Sequence, residues 1–253
     1  MATSPAADAA PAPPLTVLHR DDGLIVIDKP AGLLVHRTVL DRHETEFAVQ
    51  RLRDQIGQPV HPVHRLDRGT SGVLVFALDR EHARRVSDAF ADGSVAKTYL
   101  AVVRGWPAAS GTIDHPLKRE PDAAEWIDPR AQLLPQPAVT HWRRLATAEL
   151  PIANDRHPTT RIALLELTPE TGRRHQIRRH LKHAAHPIIG DATYGKGALN
   201  RAFAAHTGCA RLLLHCSRLV VPVGEGVALD LQAPPSGPFA ALLTRLGWDR
   251  HMA

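Results

Sequence analysis

Strand-length apolar runs and helix-length periodic runs follow one another in this chain without strict strand–helix–strand alternation, and that order constrains the fold more than any other feature. Leu15–His19 and Leu24–Asp28 read as short strands around the Asp21-Asp22-Gly23 turn, and Lys29-Pro30-Ala31-Gly32 breaks the second. Ala48, Leu52 and Ile56 recur at helical spacing until Gly57 stops the helix. Val73–Leu78 is a continuous apolar run of strand length, and Asp79 can cap a following helix whose apolar face is Ala83, Val86 and Phe90. Tyr99–Val103, Ala138–Ala146, Arg161–Leu167, Leu212–Val221 and Val227–Leu231 read as further strands. A basic helix follows Thr171-Gly172 as far as His183, and Phe239–Leu246 reads as a last helix. This mixture predicts an α+β fold, with a mixed, largely antiparallel sheet and flanking helices.

The Ala/Pro-rich stretch Met1–Pro14 has almost nothing to bury and is expected to be a disordered tail, with one folded domain over 15–250. Trp106–Pro137 is rich in Pro, Asp and Gly and reads as an excursion from the core, a short hairpin with a long loop. No apolar run reaches the roughly 18 residues a membrane span needs, and no export signal is visible. Cys209 and Cys216 form neither a C-x-x-C pair nor a disulfide framework. The expectation is a cytoplasmic monomer with both thiols reduced. Lysine occurs only at Lys29, Lys97, Lys118, Lys182 and Lys196, so most of the 31 basic residues are arginine, and the net charge is +5. The planar guanidinium fork suits phosphate, although GC-rich codon usage raises arginine as well.

Two clusters could carry chemistry. His64-Arg65-Leu66-Asp67-Arg68-Gly69-Thr70-Ser71-Gly72 is a turn-rich loop holding one carboxylate between two arginines, whose charges favour its ionised form, as a nucleophile or base requires. Taken singly, an aspartate in such a loop more often caps a turn. Thr171–Lys182 packs Arg173, Arg174, Arg178 and Arg179 into seven residues. On a helix, Ile177 and Leu181 face the core while Arg174, Arg178 and Lys182 form a stripe that calls for an anionic partner, RNA phosphate or a buried carboxylate. Tyr99, at the start of a strand, could stack on a base or simply be half-buried. His175, His180, His183 and His186 lack the spacing of an H-E-x-x-H site, and no cysteine completes a cluster, so no metal is expected. With no G-x-x-x-x-G-K-[ST] and no G-x-G-x-x-G, no nucleotide cofactor is expected either.

Together these segments resemble the RluA-like family of pseudouridine synthases. The resemblance rests on H-R-L-D-x-x-T-S-G at His64–Gly72, K-x-Y-x-A-x-V-x-G at Lys97–Gly105 and T-G-R-x-H-Q-[IL]-R-x-H at Thr171–His180. His186-Pro187-Ile188-Ile189-Gly190-Asp191 and Leu214-His215 follow in order, so that it covers Leu15 to Trp248. Leu33–Arg37, Arg51–Gln58, Pro135–His141 and Pro158–Arg161 resemble the members that modify uridine 65 of certain tRNAs. Gly69 departs from the family pattern, where several relatives have proline. Many relatives carry an additional N-terminal RNA-binding module that is not expected here.

The resemblance implies the pseudouridine synthase fold, with an RNA-binding cleft across the sheet, and isomerisation of a uridine in structured RNA, tRNA in particular. That reaction breaks N1–C1′ and joins C5 to C1′, so it calls for no cofactor. Asp67 then corresponds to the catalytic carboxylate, whether it attacks the sugar, attacks the base or removes a ribose proton. Arg178 corresponds to its arginine partner, Tyr99 to a tyrosine that stacks on the base, and Leu214 to a pocket-lining residue. Arg65 corresponds to a residue that enters the helical stack as the nucleotide flips. Arg68, Arg174, His175, Arg179 and Lys182 are expected to meet RNA. The rival readings are the same reaction on ribosomal RNA and a non-catalytic RNA-binding protein on this scaffold.

Overall fold

The computed structural model describes residues 13–36, 45–120, 133–154, 156–224 and 226–252. The chain opens with β1 (Thr16–Arg20) and β2 (Leu24–Lys29), then α1 (Ala48–Ile56), β3 (His61–Pro62), β4 (Ser71–Ala77), α2 (Arg80–Ala91) and β5 (Ala96–Arg104). It continues through β6 (Ser110–Asp114), β7 (Leu117–Lys118), β8 (Pro135–Gln136), β9 (Val139–Leu150) and β10 (Thr160–Pro169). Helices α3 (Gln176–His183) and α4 (Gly197–Thr207) precede β11 (Leu214–Gly224), β12 (Val227–Gln232) and α5 (Gly237–Arg245).

Ten strands form one sheet in the order β1-β2-β4-β11-β5-β10-β9-β6, with β12 paired to β11 and β3 to β4. Every pairing is antiparallel except β11 with β4, where His215 lies against Ser71 and Cys216 against Gly72. The sheet is therefore mixed and largely antiparallel, as expected. Gly72 has φ +109, and a Cβ there would meet the Cys216 carbonyl oxygen at 2.1 Å, so glycine is what lets these two strands meet. Strand β4 is buried along its whole length, which is why its sequence is continuously apolar from Val73 onward.

Two apolar clusters share the sheet. One gathers Ile25, Leu52, Phe76 and Val86 under α1 and α2; the other gathers Leu164, Phe203, Phe239 and Leu243 under α4 and α5. Tyr99 packs against both. At this seam β11 begins beside the first residues of β4 and the Tyr99–Ala101 stretch of β5, and the functional groups collect there.

Two expectations need correction, and one helix went unread. Helix α4 was not legible, because its alanine-rich sequence buries only Leu199 and Phe203 and so carries a weak apolar stripe. Ser110–Asp114 belongs to the main sheet as β6, not to an excursion; β7 and β8 do form a separate two-stranded ribbon. Helix α3 begins at Gln176, since His175 takes a left-handed conformation (φ 53, ψ 25), so Arg174 is not on one helical stripe with Arg178 and Lys182. Residues 1–12 of the expected tail and 121–132 of the expected loop lie outside the described residues.

Candidate active site

The loop between β3 and β4 presents Asp67. Its shape is set by turn hydrogen bonds and by a buried lysine. Thr70 N donates to Asp67 O at 3.0 Å, and Gly32 N donates to Arg68 O at 2.8 Å. The Lys29 side chain is fully buried and donates to the carbonyls of Leu33 (2.7 Å), Pro30 (2.9 Å) and Arg68 (3.2 Å). Burial, aided by Arg211, pushes its ammonium down to about 7, while Asp67 and Asp28 pull it back. His64 stacks on Phe90 and accepts a hydrogen bond from Val75 N, so its Nε2 carries no proton.

The far end of the loop is held by a directional chain. Arg211 Nη2 donates to Ser71 Oγ at 2.7 Å. Arginine can only donate, so the Ser71 hydroxyl donates its hydrogen bond to His215 Nδ1 (2.7 Å), and His215 Nε2–H donates to Ala233 O (2.7 Å). His215 is fully buried and neutral; burial moves its imidazole down to about 4.

Helix α3 supplies the other half of the site. Gln176 fixes its first turn, accepting from Thr171 Oγ1 (2.7 Å) and Arg173 N (3.0 Å) and donating to Val139 O (2.9 Å). Ile177 and Leu181 are buried, as their spacing predicts. Arg178 points inward: Nη1 donates to Asp67 Oδ2 at 3.0 Å. Its Nε and Nη2 grip Asp191 at 2.7 and 2.9 Å. The Asp191 side chain is sealed from solvent, whereas Asp67 keeps 19% exposure. Burial opposes the charge on Asp191, but Arg178 and the backbone amides of Tyr194 and Thr193 outweigh it and hold the carboxyl below its ordinary range. Burial likewise opposes the charge on Arg178, and its two carboxylates outweigh that and raise it. One guanidinium is thus shared between a buried anchor and a mostly buried carboxylate that still faces the cleft.

That cleft, a cavity of about 320 Å³, is lined by Arg65, Asp67, Tyr99, Arg174, His175, Arg178, Arg179 and Leu214, within the usual size range of small-molecule sites. Eight of the ten residues singled out from sequence therefore converge. Arg68 does not line it; its Nε donates to Gly32 O at 3.1 Å. Lys182 is exposed on the outer face of α3. Burial raises the Tyr99 hydroxyl well above 10, with the neighbouring Cys216 thiol and Asp67 adding to the shift, so the ring stays a neutral phenol beside Asp67. Burial lowers the His175 imidazole, against the pull of Asp67 3.8 Å away. The other clustered histidines have structural neighbours: His180 binds Thr140 Oγ1 and His115 O, His183 stacks on His115, and His186 meets Arg104 O. Gly69 lies against Leu212, whose Cβ would stand 3.0 Å from an added Cβ, so the chain's glycine suits its own packing.

Three site residues escaped sequence reasoning. Lys29 looked like part of a strand-breaking turn. Asp191 stood in a recognised segment without a role, and Glu120 carried no signal. Each acquires meaning only from residues distant in the chain.

The family model described as RNA pseudouridylate synthase matches residues 23–183, spanning both the Asp67 loop and α3. The chain belongs to the RNA pseudouridylate synthase family. This synthase is 47% identical over 240 residues to the tRNA pseudouridine synthase C of Vibrio cholerae serotype O1, covering 94% of this chain and 98% of that one. It is 53% identical over 207 residues to the tRNA pseudouridine synthase C of Haemophilus ducreyi, covering 81% of this chain and 84% of that one. Among solved structures, the synthase is similar to human RNA pseudouridylate synthase domain containing 4, with TM-score 0.67, 29% identity, and coverage of 92% and 93%. The corresponding human domain containing 1 gives TM-score 0.68, 26% identity, and coverage of 90% and 86%.

Proposed function

We propose that this chain converts a uridine of tRNA to pseudouridine, with Asp67 as the catalytic carboxylate, and that the target is the uridine at position 65. The observation that carries the reading is the Asp67–Arg178 pair at 3.0 Å, set in a cleft with Tyr99 and Leu214. The N1–C1′ bond breaks, the base turns, C5 joins C1′, the C5 proton leaves and N1 gains one. Atoms and electrons balance without oxidant or energy source. Asp67 lies beside the ribose and base of the flipped nucleotide. Arg178 holds its carboxylate aimed through a charge-assisted hydrogen bond, and Asp191 keeps Arg178 in place. Tyr99 offers a neutral ring to stack on the base and a hydroxyl beside C5. Arg65, exposed at the mouth, fills the gap the flipped nucleotide leaves. The tRNA substrate is supported by relatives whose names state it and whose length this chain matches nearly end to end.

The test is incubation of the purified chain with tRNA transcripts, followed by chemical mapping of pseudouridine at single-nucleotide resolution. The expected result is one modified uridine, at position 65. Asp67→Asn keeps the side chain's size and removes its basicity; it is expected to abolish product while leaving RNA affinity within a few-fold. Product on ribosomal RNA fragments alone would move the substrate, and turnover by Asp67→Asn would remove the mechanism.

A further inference from the structure

Glu120, at the end of the β7 segment, stands beside two arginines and a histidine of the cleft. Its carboxylate is 4.0 Å from Arg174 Nε, 4.0 Å from His175 Nδ1 and 3.8 Å from Arg179 Nε. The segment that carries it is built into the fold. Leu117 is buried, Leu117 pairs with Gln136 across the ribbon, and Lys118 O accepts from Arg179 Nη1 at 3.0 Å. The ordering of exposure is informative: Arg179, His175 and Arg174 show 14%, 19% and 29% of their side chains, and Glu120 shows 38%. The anion is the most exposed member of the group. None of the three contacts is close enough for a hydrogen bond, so the carboxylate is held mainly by the charges of Arg174 and Arg179, and partly exposed pairs of this kind contribute little.

His175 links this cluster to the chemistry, with Nε2 3.8 Å from Asp67 Oδ1 and Nδ1 4.0 Å from Glu120 Oε2. A ribose at Asp67 is flanked by a phosphate on each side, so one backbone phosphate must lie within a sugar's width of Asp67. A phosphate can take short charge-assisted bonds from guanidinium groups at this spacing, which the carboxylate does not make here. We propose that Arg174, His175 and Arg179 form a subsite for a backbone phosphate next to the target nucleotide, and that this phosphate displaces Glu120. The inference rests on the reading of the site as a pseudouridine synthase centre acting on tRNA. Substrate entry therefore exchanges one anion for another, and Glu120 sets how much of the cleft's positive charge any RNA can use.

The experiment crosses Glu120→Gln with a synthetic tRNA arm that the unaltered chain converts, carrying either a natural backbone or a neutral methylphosphonate beside the target uridine. On the natural backbone Glu120→Gln is expected to tighten binding on the order of three- to tenfold at low salt, and to steepen the log affinity against log salt slope by up to about 0.7. On the neutral backbone that gain is expected to vanish. Glu166→Gln, which removes an equal charge from the Arg143 pair on the sheet, serves as the control and is expected to leave affinity unchanged. Weaker binding by Glu120→Gln, an equal gain in the control, or an equal gain on both backbones would overturn the proposal. Absence of product with the unaltered chain instead marks failure of the substrate assignment, so the two failures are read separately.

Discussion

The floor and the rim of the cleft use the same residue types for opposite ends. At the floor, Arg178 is nearly buried and makes hydrogen bonds of 2.7 to 3.0 Å to two carboxylates. At the rim, its sequence neighbour Arg179 meets Glu120 only at 3.8 Å, and Lys182 stands in solvent. A buried charge must be fully partnered, and the partnering fixes its geometry. An exposed charge is cheap to hold and free to re-pair, which suits a polyanion that must bind and leave. Two arginines adjacent in sequence, 10% and 14% exposed, thus acquire different work from their partners: two hydrogen-bonded carboxylates for Arg178, a backbone carbonyl and a distant carboxylate for Arg179.

This contrast is broken most directly at Arg178. Arg178→Met is expected to lower turnover by orders of magnitude with little change in RNA affinity or its salt dependence, measured by single-turnover kinetics beside equilibrium binding. If the substitution instead weakens binding and flattens the salt slope while rates at saturation stay normal, Arg178 belongs to the rim. Next in size is the anchor. Asp191→Ala leaves the Arg178 charge buried without its bidentate partner, and a loss of about 3–5 kcal/mol in urea unfolding is expected. A loss below about 1 kcal/mol, typical of an exposed pair, would erase the distinction between floor and rim.

Acid tests the floor in another way. The His215 imidazole titrates at about 4, below its ordinary 6.5, because of burial. Between these values the unfolded chain binds a proton that the folded one refuses, so stability falls as pH drops from 6.5 towards 4 and is insensitive to this group above 6.5. The total is a few kcal/mol. The expected result is a urea midpoint that declines over this window, with a shallower decline in His215→Gln. Equal declines would place the acid sensitivity elsewhere. The smallest effect belongs to the rim: Arg179→Gln is expected to weaken RNA binding several-fold and to make the log–log salt slope shallower by about 0.7 to 0.9. Lys182→Gln, farther from the cleft, is expected to change both less. A larger effect at Lys182 would mean that RNA runs along the outer face of α3.

Much of this was legible in the chain. The burial of β4 followed from its unbroken apolar run, and the Asp79 cap set the start of α2, where its side chain accepts from His82 N at 2.8 Å. The loop around Asp67 and the cluster around Arg178 were visible as dense local patterns. Helix α4 was not, because alanine keeps a helix without marking a face. The left-handed turn at His175 was hidden too, since nothing local predicts a positive φ at a histidine.

The sequence by itself determined most of the long strands, which loop carries the carboxylate and that the chain is rich in groups for an anionic partner. These are short-range properties, set by periodicity, turn residues and charge. The charge pattern left Arg178 open to a phosphate or a carboxylate and the resemblance paired it with Asp67; the tertiary structure brings the two together from 111 positions apart. It also decided that Asp191 seals that pair and that Lys29 caps three carbonyls behind it. The reason is physical: a charge acquires its role from the water it loses and the partners that replace that water, and both depend on what the sheet brings together.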